Sequence, residues 1–207
     1  MHDRPPETVD VDRLYGAADL DELRREYDRI AGVYDDDLDW RAPELLASVA
    51  ARLVEHDSAV LDVGAGTGRV GVLLREAGFA VVDALDISEG MLEQARRTGA
   101  YRSLRTGTLG ERLELADGAY DAVVACGVFT TGHAPAACLS EICRVTRPGG
   151  RVVFTLREDL PVSGYAEEIE RLERERIWAL LERGDLFASM PKNHPEVRNR
   201  IWAFGVC

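Results

Sequence analysis

The stretch AVLDVGAGTGRVGVLLREAG, residues 59–78, decides the fold of this chain. It opens with a short apolar run, 59–64, which is typical of a strand buried in a parallel sheet. A glycine-rich turn follows, and apolar residues then recur at helical spacing from Val70 to Ala77. A strand, a tight turn and a helix in this order predict the first half of a βαβ unit.

The same alternation continues along the chain. Further strands are predicted at 80–87, 101–107, 120–129 and 151–157. Between them, one helix is predicted at 88–99 with Ser88 as its cap, and another at 135–145 with Pro135 at its first position. This order predicts an α/β fold in three layers, in which a doubly wound parallel sheet has right-handed crossovers and helices on both faces.

The N-terminal flank carries a helical pattern. An apolar stripe from Leu20 to Tyr34 follows a cap at Asp19, and a second helix is predicted from Pro43 to Leu53.

The C-terminal flank ends on strand patterns. A charged helix, 165–176, precedes two strands, 177–183 and 200–206, which are separated by a loop containing Pro191 and Pro195. A loop of this length favours an antiparallel pair. We expect one domain, 1–207, divided into N-terminal helices forming a lid (1–57), a ligand-binding core (58–157) and a C-terminal helix with antiparallel strands (158–207).

The glycine turn, Asp62-Val-Gly64-Ala-Gly66-Thr-Gly68, has a partner at the end of the second strand. Asp86 lies there, where its carboxylate can accept hydrogen bonds from both hydroxyls of a ribose. Together the turn and the acid predict an adenosine-containing ligand.

The glycine spacing distinguishes between such ligands. The dinucleotide pattern GxGxxG presents a helix N-terminus to a pyrophosphate, whereas this chain has GxGxG behind an acidic residue. S-adenosylmethionine (SAM) has no phosphate, and its ammonium group needs an acceptor, which Asp62 would provide directly or through water. The alternative is that Asp62 only braces the turn by hydrogen bonds.

Four motifs resemble a known superfamily in order and spacing. VLDVGAGTG, ALDIS, YDAVVACGVF and RPGG are similar to the motifs of class I SAM-dependent methyltransferases over roughly residues 20–157. The resemblance implies a Rossmann-like, seven-stranded sheet with an antiparallel last strand pair. YDRIAGVYD and GVFTTGHAP further resemble the methyltransferase-like family named for the Williams–Beuren syndrome chromosomal region.

The resemblance also implies residue roles around SAM and its product, S-adenosylhomocysteine. Gly64, Ala65, Gly66 and Gly68 would line the methionine part, Asp86 would hold the ribose, Ile87 and Met91 would border the adenine, and Cys126 and Gly127 would face the sulfonium. Many relatives carry an aspartate for the adenine amino group after the third strand. Here Thr108 and the backbone of Leu109 are the expected substitutes.

Methyl transfer is an in-line displacement that depends mainly on alignment, and it needs a base only when the acceptor loses a proton. His133, just beyond the fourth strand, is the candidate base; the alternative is a loop histidine that caps the next helix.

Aromatic residues are predicted above and beside the cofactor. Tyr27, Tyr34 and Trp40 would close over it as a lid, with Trp40 also contacting the acceptor. Tyr27 could equally belong to the apolar stripe of a helix. Tyr34 precedes three aspartates, which break that stripe, so the lid is the favoured interpretation there. Phe129 would line the acceptor pocket or pack below it.

Composition excludes other classes of function. The net charge of −12 argues against a nucleic-acid or membrane partner, and the single lysine, Lys192, argues against P-loop or Schiff-base chemistry. The chain has no long apolar run, signal-peptide pattern or CxxC motif, and its histidines show no metal spacing, so a cytoplasmic protein with reduced thiols and no metal is predicted.

The leading hypothesis is therefore a SAM-dependent methyltransferase that acts on a small-molecule acceptor as a monomer or homodimer. An NAD(P)-linked oxidoreductase is the first alternative, although its GxGxxG is absent. A SAM-binding protein without methyl transfer is the second.

Overall fold

The computed structural model describes residues 9–10, 13–14, 16–37, 39–159 and 162–207, without the side chains of residues 36 and 37. The strands are β1 (Ala59–Val63), β2 (Val81–Asp86), β3 (Ser103–Thr106), β4 (Tyr120–Phe129), β5 (Thr146–Arg157), β6 (Trp178–Arg183), β7 (Phe187–Met190) and β8 (His194–Val206). The helices are α1 (Leu20–Ile30), α2 (Tyr34–Asp37), α3 (Ala42–Leu53), α4 (Arg69–Glu76), α5 (Glu89–Thr98), α6 (Cys138–Val145) and α7 (Tyr165–Arg174).

Within the described residues, the strands form one eight-stranded sheet in the order β3-β2-β1-β4-β5-β8-β6, with β7 paired to β8. The pairs from β3 to β5 are parallel, and every pair made by β8 is antiparallel. The predicted doubly wound α/β sheet with antiparallel strands at its end is confirmed. Strand order reverses at β1, and open α/β sheets bind ligands at the carboxyl end of such a strand.

The C-terminal region differs in detail from the sequence prediction. An eighth strand, β7, is present, and β8 begins at His194. Pro195 therefore lies inside β8 and not in a loop. Proline is tolerated at this position because it is exposed and lies where the register between β7 and β8 shifts. Pro195 is not one of the paired residues, so its missing N–H costs no hydrogen bond between the two strands.

The helix after β4 begins later than predicted. Pro135 does not start α6, which begins at Cys138. The carbonyl of Pro135 instead accepts a hydrogen bond from the amide of Cys138 at 3.0 Å, so one separate turn precedes the helix.

Alternate residues of β4 contribute to two different hydrophobic clusters. Val123 and Ala125 pack on the side of α6 and α7, whereas Val124 and Cys126 pack on the side of α3 and α4. This alternation follows from the two-residue period of a strand buried on both faces. The carboxyl ends of β1, β2 and β4 are left to form a cleft.

The N-terminal helix α1 covers that cleft. Asp19 caps it as predicted, accepting a hydrogen bond from the amide of Glu22 at 2.8 Å. Leu23 and Ile30 on its apolar face are buried in a cluster with Met91 of α5. No helix in the described ranges is long and apolar enough to cross a membrane.

Candidate functional site

The glycine loop after β1 is bound to the end of β2. The amides of Gly64 and Ala65 donate to the carbonyl of Leu85 at 2.7 and 3.2 Å. Gly64 has a φ of 69° and lies so close to Val128 that a Cβ atom would collide with it. Gly66 has a φ of 55°, and a Cβ atom there would have no neighbour within 4 Å. The loop thus presents its backbone to open space at Gly66.

Asp86 and the glycine loop form one hydrogen-bonded unit. Asp86 Oδ2 accepts from the amide of Gly66 at 2.8 Å, and Oδ1 accepts from the amide of Ser88 at 2.9 Å. Burial raises the pKa of Asp86, although these two amides act in the opposite direction. A carboxylate offers about four acceptor positions, so the oxygens retain capacity for ribose hydroxyls.

The cleft above this unit has about 880 Å³ of empty space, including part of its open mouth. Most of the predicted site residues line it: Tyr27, Tyr34, Trp40, Gly64, Ala65, Gly66, Asp86, Ile87, Met91, Thr108, Leu109, Cys126, Gly127 and His133. Sequence reasoning missed other lining residues, namely Leu20, Leu23, Pro43, Thr67, Arg69, Val70, Leu85, Gly107, Val128 and Ala134.

Asp62 and Gly68 lie behind the cleft wall. Asp62 is fully buried, and its Oδ2 accepts from the hydroxyl of Tyr101 at 2.7 Å; the Tyr101 oxygen accepts in turn from the amide of Gly71 at 3.1 Å. These bonds connect Asp62 through Tyr101 to Gly71 of α4. The bracing of the glycine turn by Asp62 and its contact with the SAM ammonium both stay predictions. Gly68 caps α4 at a φ of 97°, where a Cβ would be 3.0 Å from the backbone of Ala95. Gly68 therefore serves helix packing.

Burial raises the pKa of Asp62 to about 7, with the Tyr101 hydrogen bond acting to lower it and the charge of Asp86 to raise it. Asp62 Oδ1 is buried and has no hydrogen-bond partner among the described residues. An acceptor for the ammonium of SAM is therefore present behind the loop, and its contact with that group stays a prediction.

The lid is anchored by a contact that the sequence analysis missed. Asp28 Oδ1 on α1 accepts from Ser88 Oγ at 2.6 Å and from the amide of Gly90 at 2.9 Å. Asp35 also accepts from Thr67 Oγ1 at 2.8 Å. Helical periodicity shows that Asp28 lies off the apolar stripe, but it carries no information about a partner 60 residues away.

The three predicted lid aromatics pack edge to face. The ring centroids of Tyr27 and Tyr34 are 6.1 Å apart, and those of Tyr34 and Trp40 are 6.2 Å apart. A Cβ atom at Gly127 would lie 2.6 Å from Trp40, so this glycine permits the indole to approach the end of β4. Both tyrosines line the cleft. Tyr27 lies within α1, but the predicted apolar stripe does not continue to Tyr34, because α1 ends at Ile30 and Tyr34 begins α2. The role of the two rings as a lid over the cofactor stays a prediction.

His133 lies at the junction between lid and sheet. Its Nδ1 is 3.0 Å from the carbonyl of Thr131, and its Nε2 is 2.7 Å from the hydroxyl of Tyr27. A carbonyl can only accept, so Nδ1 carries the proton and Nε2 accepts from Tyr27, a tautomer assigned from the network. Burial lowers the pKa of His133; the Thr131 carbonyl opposes this and the charge of Arg157 adds to it. Neither of these two bonds is made to α6, whose N-cap is Ala137.

A second cavity adjoins the cleft at the same junction. Both are lined by Tyr27, Tyr34, Trp40, Gly127 and His133, and the second continues between Leu14, Phe129, Thr130, Arg157, Ser189, Met190, Val197 and Asn199. Phe129, buried at 1% exposure, thus lies in the wall of this second cavity. The polar residues of the second cavity were missed from the sequence, because Arg157, Ser189 and Asn199 come together only when β5 and β7 pair with β8.

The residues present fit SAM. Gly66 leaves a space that a side chain would fill, Asp86 retains acceptor capacity, and Asp62 holds an orphaned oxygen behind the loop. In the part of the chain that the structure describes, no three His, Cys, Asp or Glu side chains group so as to hold a metal ion.

Comparison with known proteins decides the family. A model described as a methyltransferase domain matches residues 61–154. The human Methyltransferase-like protein 27 is 37% identical over 179 residues, which cover 81% of this chain and 73% of that protein. The chain belongs to the class I SAM-dependent methyltransferases.

Other relatives agree with this assignment. The Demethylmenaquinone methyltransferase of Beutenbergia cavernae is 38% identical over 152 residues, covering 72% of this chain and 60% of that protein. A chain of the solved complex that contains the Haloferax volcanii Trm112 methyltransferase activator shares the fold, with a TM-score of 0.68 at 20% identity, over 88% of this chain and 96% of that one. These matches favour a methyltransferase over the NAD-linked oxidoreductase.

Proposed function

We propose that this methyltransferase transfers the methyl group of SAM to a small-molecule acceptor bound in the second cavity. The observation that carries the proposal is the junction of the two cavities, because Tyr27 and His133 line both. A group held in one cavity would meet a group held in the other at these side chains. The second cavity lies beneath the lid and is the smaller of the two, which favours a small acceptor over a macromolecule.

The residues of the cleft would hold the cofactor as predicted from the sequence. Asp86 would accept from the ribose hydroxyls, Ile87 and Met91 would border the adenine, and the backbone at Gly66 would face the methionine part. Cys126 and Gly127, at the end of β4, would lie on the sulfonium side, beside Trp40. SAM, when bound, supplies a methyl group already activated by a positively charged sulfur.

The lid residues would align the acceptor and exclude water. Tyr27, Tyr34 and Trp40 line the cleft, and an aromatic ring face turned towards the sulfonium would favour that cation over water. Alignment of the reacting groups supplies up to about 7–11 kcal/mol in favourable systems. Asp28 would maintain that alignment by holding α1 against the start of α5.

His133 would receive the proton that the acceptor loses. Its Nε2 already accepts from the Tyr27 hydroxyl, so a proton would pass from the acceptor to the Tyr27 oxygen as the Tyr27 proton passes to Nε2. Because burial lowers the pKa of His133, the imidazole is neutral and able to accept at neutral pH. Tyr27 thereby gains a second role beside the predicted cofactor contact.

Two measurements test this function. Calorimetric titration should show SAM binding and no comparable heat for NAD, and Asp86→Ala should weaken SAM binding at least about tenfold. Transfer of tritium from methyl-labelled SAM should then label one component of a metabolite pool. Tight NAD binding without SAM binding would overturn the cofactor. SAM binding with repeated absence of label would favour a SAM-binding protein without methyl transfer.

We also propose a cytoplasmic protein without nucleic-acid or membrane partners, acting as a monomer or homodimer. Free, buried thiols at Cys126, Cys138 and Cys143 and the net charge of −12 support this. The N-terminal helices of the predicted segment 1–57 would form its lid; residues 1–8, 11–12, 15 and 38 of that segment lie outside the described residues.

A further inference from the structure

The second cavity, called the acceptor pocket below, has a polar end built from buried residues. Thr130 follows β4, Arg157 ends β5, Ser189 lies on β7 and Asn199 on β8, and each is at most 8% exposed. Burying a polar group costs free energy unless it is hydrogen-bonded. We therefore expect each of these four side chains to have a hydrogen-bond partner.

Thr130 is the member of this group that lacks one. Its Oγ1 is buried without a hydrogen-bond partner among the described residues. The backbone amide of Thr130 is satisfied by the carbonyl of Val128 at 3.1 Å, so only the hydroxyl is left. A hydroxyl can donate one hydrogen bond and accept two, and a ligand oxygen in the acceptor pocket would meet that need.

The charge at this end is already compensated. Arg157 donates from Nε and Nη2 to the two carboxylate oxygens of Asp159, at 2.9 and 2.7 Å. The amide of Arg198 donates to the same carboxylate at 3.0 Å. Asp159 is not among the residues that line the acceptor pocket, so it neutralises the guanidinium from behind. Asn199 and Ser189 are hydrogen-bonded to each other and carry no charge.

The remaining walls are apolar and partly aromatic. Phe129 and Trp40 provide ring surfaces, and Met190 and Val197 provide aliphatic ones. Phe129 is held by an edge contact with Phe154, at a centroid distance of 5.0 Å, so its ring is fixed in the wall. Such walls favour a ring compound, because aromatic pairs gain more than their buried area alone.

From this arrangement we infer that the acceptor pocket takes an uncharged ring compound whose hydroxyl or carbonyl oxygen hydrogen-bonds to Thr130, and that it discriminates against the carboxylate analogue. An anion would lose its hydration on entering the acceptor pocket. The positive charge of Arg157 would not offset that cost, because it is already neutralised by Asp159. The inference deepens the proposed function and rests on it, since the same compound would present its opposite end to Tyr27 and His133.

The test uses the full chain loaded with S-adenosylhomocysteine and ring compounds of matched shape that carry either a neutral amide or an anionic carboxylate. The probes are 3- and 4-hydroxybenzamide, which are uncharged, and 3- and 4-hydroxybenzoate, which are anionic. Calorimetry or ligand-observed NMR should show that at least one benzamide binds, and about tenfold tighter than its benzoate. Equal binding within the pairs, tighter benzoates, or no bound benzamide on the loaded protein would overturn the inference.

Variants of Thr130 locate the contact. Thr130→Val should weaken benzamide binding about threefold to tenfold, and Thr130→Ser should restore it, because the hydroxyl is what is lost. Thr106→Val, on exposed β3 and outside both cavities, is the matched control and should bind as the parent does. Unchanged affinity in Thr130→Val would overturn the contact.

A charge variant separates this inference from the proposed function. Asp159→Asn removes the negative charge that pairs with the Arg157 guanidinium and should narrow or reverse the preference for the benzamides. An unchanged preference would count against the role of Asp159. If the parent protein fails to bind SAM, the proposed function fails and this inference with it; if SAM binds and the ring pairs are not discriminated, only this inference fails.

Discussion

Asp86 Oδ2 accepts a hydrogen bond from the backbone amide of Gly66 at 2.8 Å, so the acid at the end of β2 holds the glycine loop that follows β1. The same carboxylate both shapes the loop and faces the cleft. A change at Asp86 would therefore alter the loop and its ligand contacts together. Gly66 offers a cleaner test, because the position of its absent side chain meets no protein atom within 4 Å.

The first prediction is that Gly66→Val weakens SAM binding at least tenfold, because the new side chain would project into the cleft. Gly99→Val is the control: Gly99 has a φ of 67°, equally open surroundings, and lies outside both cavities. Both variants should lose about 1–2 kcal/mol of stability from the left-handed backbone. Calorimetry should find the loss of affinity only at Gly66. Equal SAM affinity in the two variants would show that the glycine loop is not part of the SAM site.

The second prediction concerns the contact between lid and core. Asp28→Ala removes the acceptor for Ser88 Oγ and the Gly90 amide, so α1 should open more often and SAM should dissociate faster, by about threefold to thirtyfold. Hydrogen exchange in α1 should quicken as well. Asp21→Ala, in the same helix and paired with exposed Arg24, should leave both rates unchanged. A stopped-flow measurement that finds identical dissociation in the two variants would show that Asp28 does not hold the lid.

The fold was predictable where a local pattern determines an element. The apolar run at 59–64 and the cap at Ser88 act over a few residues, and both are found in place: β1 spans Ala59–Val63, and Ser88 Oγ accepts from the amide of Met91 at 3.0 Å. The strand β7 was not predictable in this way. It is only four residues long, and it exists because β8 offers a partner along residues 194–199.

The same distinction holds for the site, where some residues follow from local sequence spacing and others depend on strand pairing and packing. The glycine loop and Asp86 belong to one βαβ unit, so sequence spacing alone brings them together. Thr130 and Asn199 are 69 positions apart and line one cavity through the pairing of β4 with β5 and of β5 with β8, which no local sequence pattern records. Asp62 was identified as part of the site, but its burial behind the loop and its bond to Tyr101 depend on packing. Residue type predicts a ligand contact at Asp62, whereas the hydrogen bond to Tyr101 could be found only from the packed structure.

The third prediction uses the titration of Asp62. Its pKa is raised by burial to about 7 in the folded protein, against 3.8 for the ordinary group. Between these values the folded state holds a proton that the unfolded state has released, so this group's contribution to stability is lost as pH rises from about 4 to 7. At 1.36 kcal/mol per pKa unit, the loss is at most about 4 kcal/mol.

Asp62→Asn should remove that pH-dependent loss, because the asparagine does not titrate. The free energy of unfolding of the variant, relative to that of the parent, should therefore increase as the pH rises from about 4 to 7. Urea midpoints of the cofactor-free proteins measure it at each pH. Asp57→Asn, in an exposed loop, is the control and should keep the slope of the parent. Parallel pH curves for Asp62→Asn and the parent would mean that Asp62 titrates normally.

The fourth prediction is that Tyr27 and His133 act as one proton-accepting unit. With the acceptor identified by tritium transfer, His133→Ala should lower kcat about 10²-fold or more while SAM affinity stays within a factor of about three. Tyr27→Phe removes the hydroxyl that lies 2.7 Å from Nε2 and should cause a comparable loss. The double variant should be hardly slower than either single one, since both changes break the same path.

The pH profile gives an independent reading of the same pair. Because burial lowers the pKa of His133 from its ordinary 6.5, the acidic limb of the kcat profile should lie below pH 6.5 in the parent and vanish in His133→Ala. His56→Ala, whose ring packs on Phe79 away from both cavities, should keep the parent profile. Additive losses in the double variant, or an acidic limb that survives the removal of His133, would assign the proton to another group and leave Tyr27 as a wall of the cleft only.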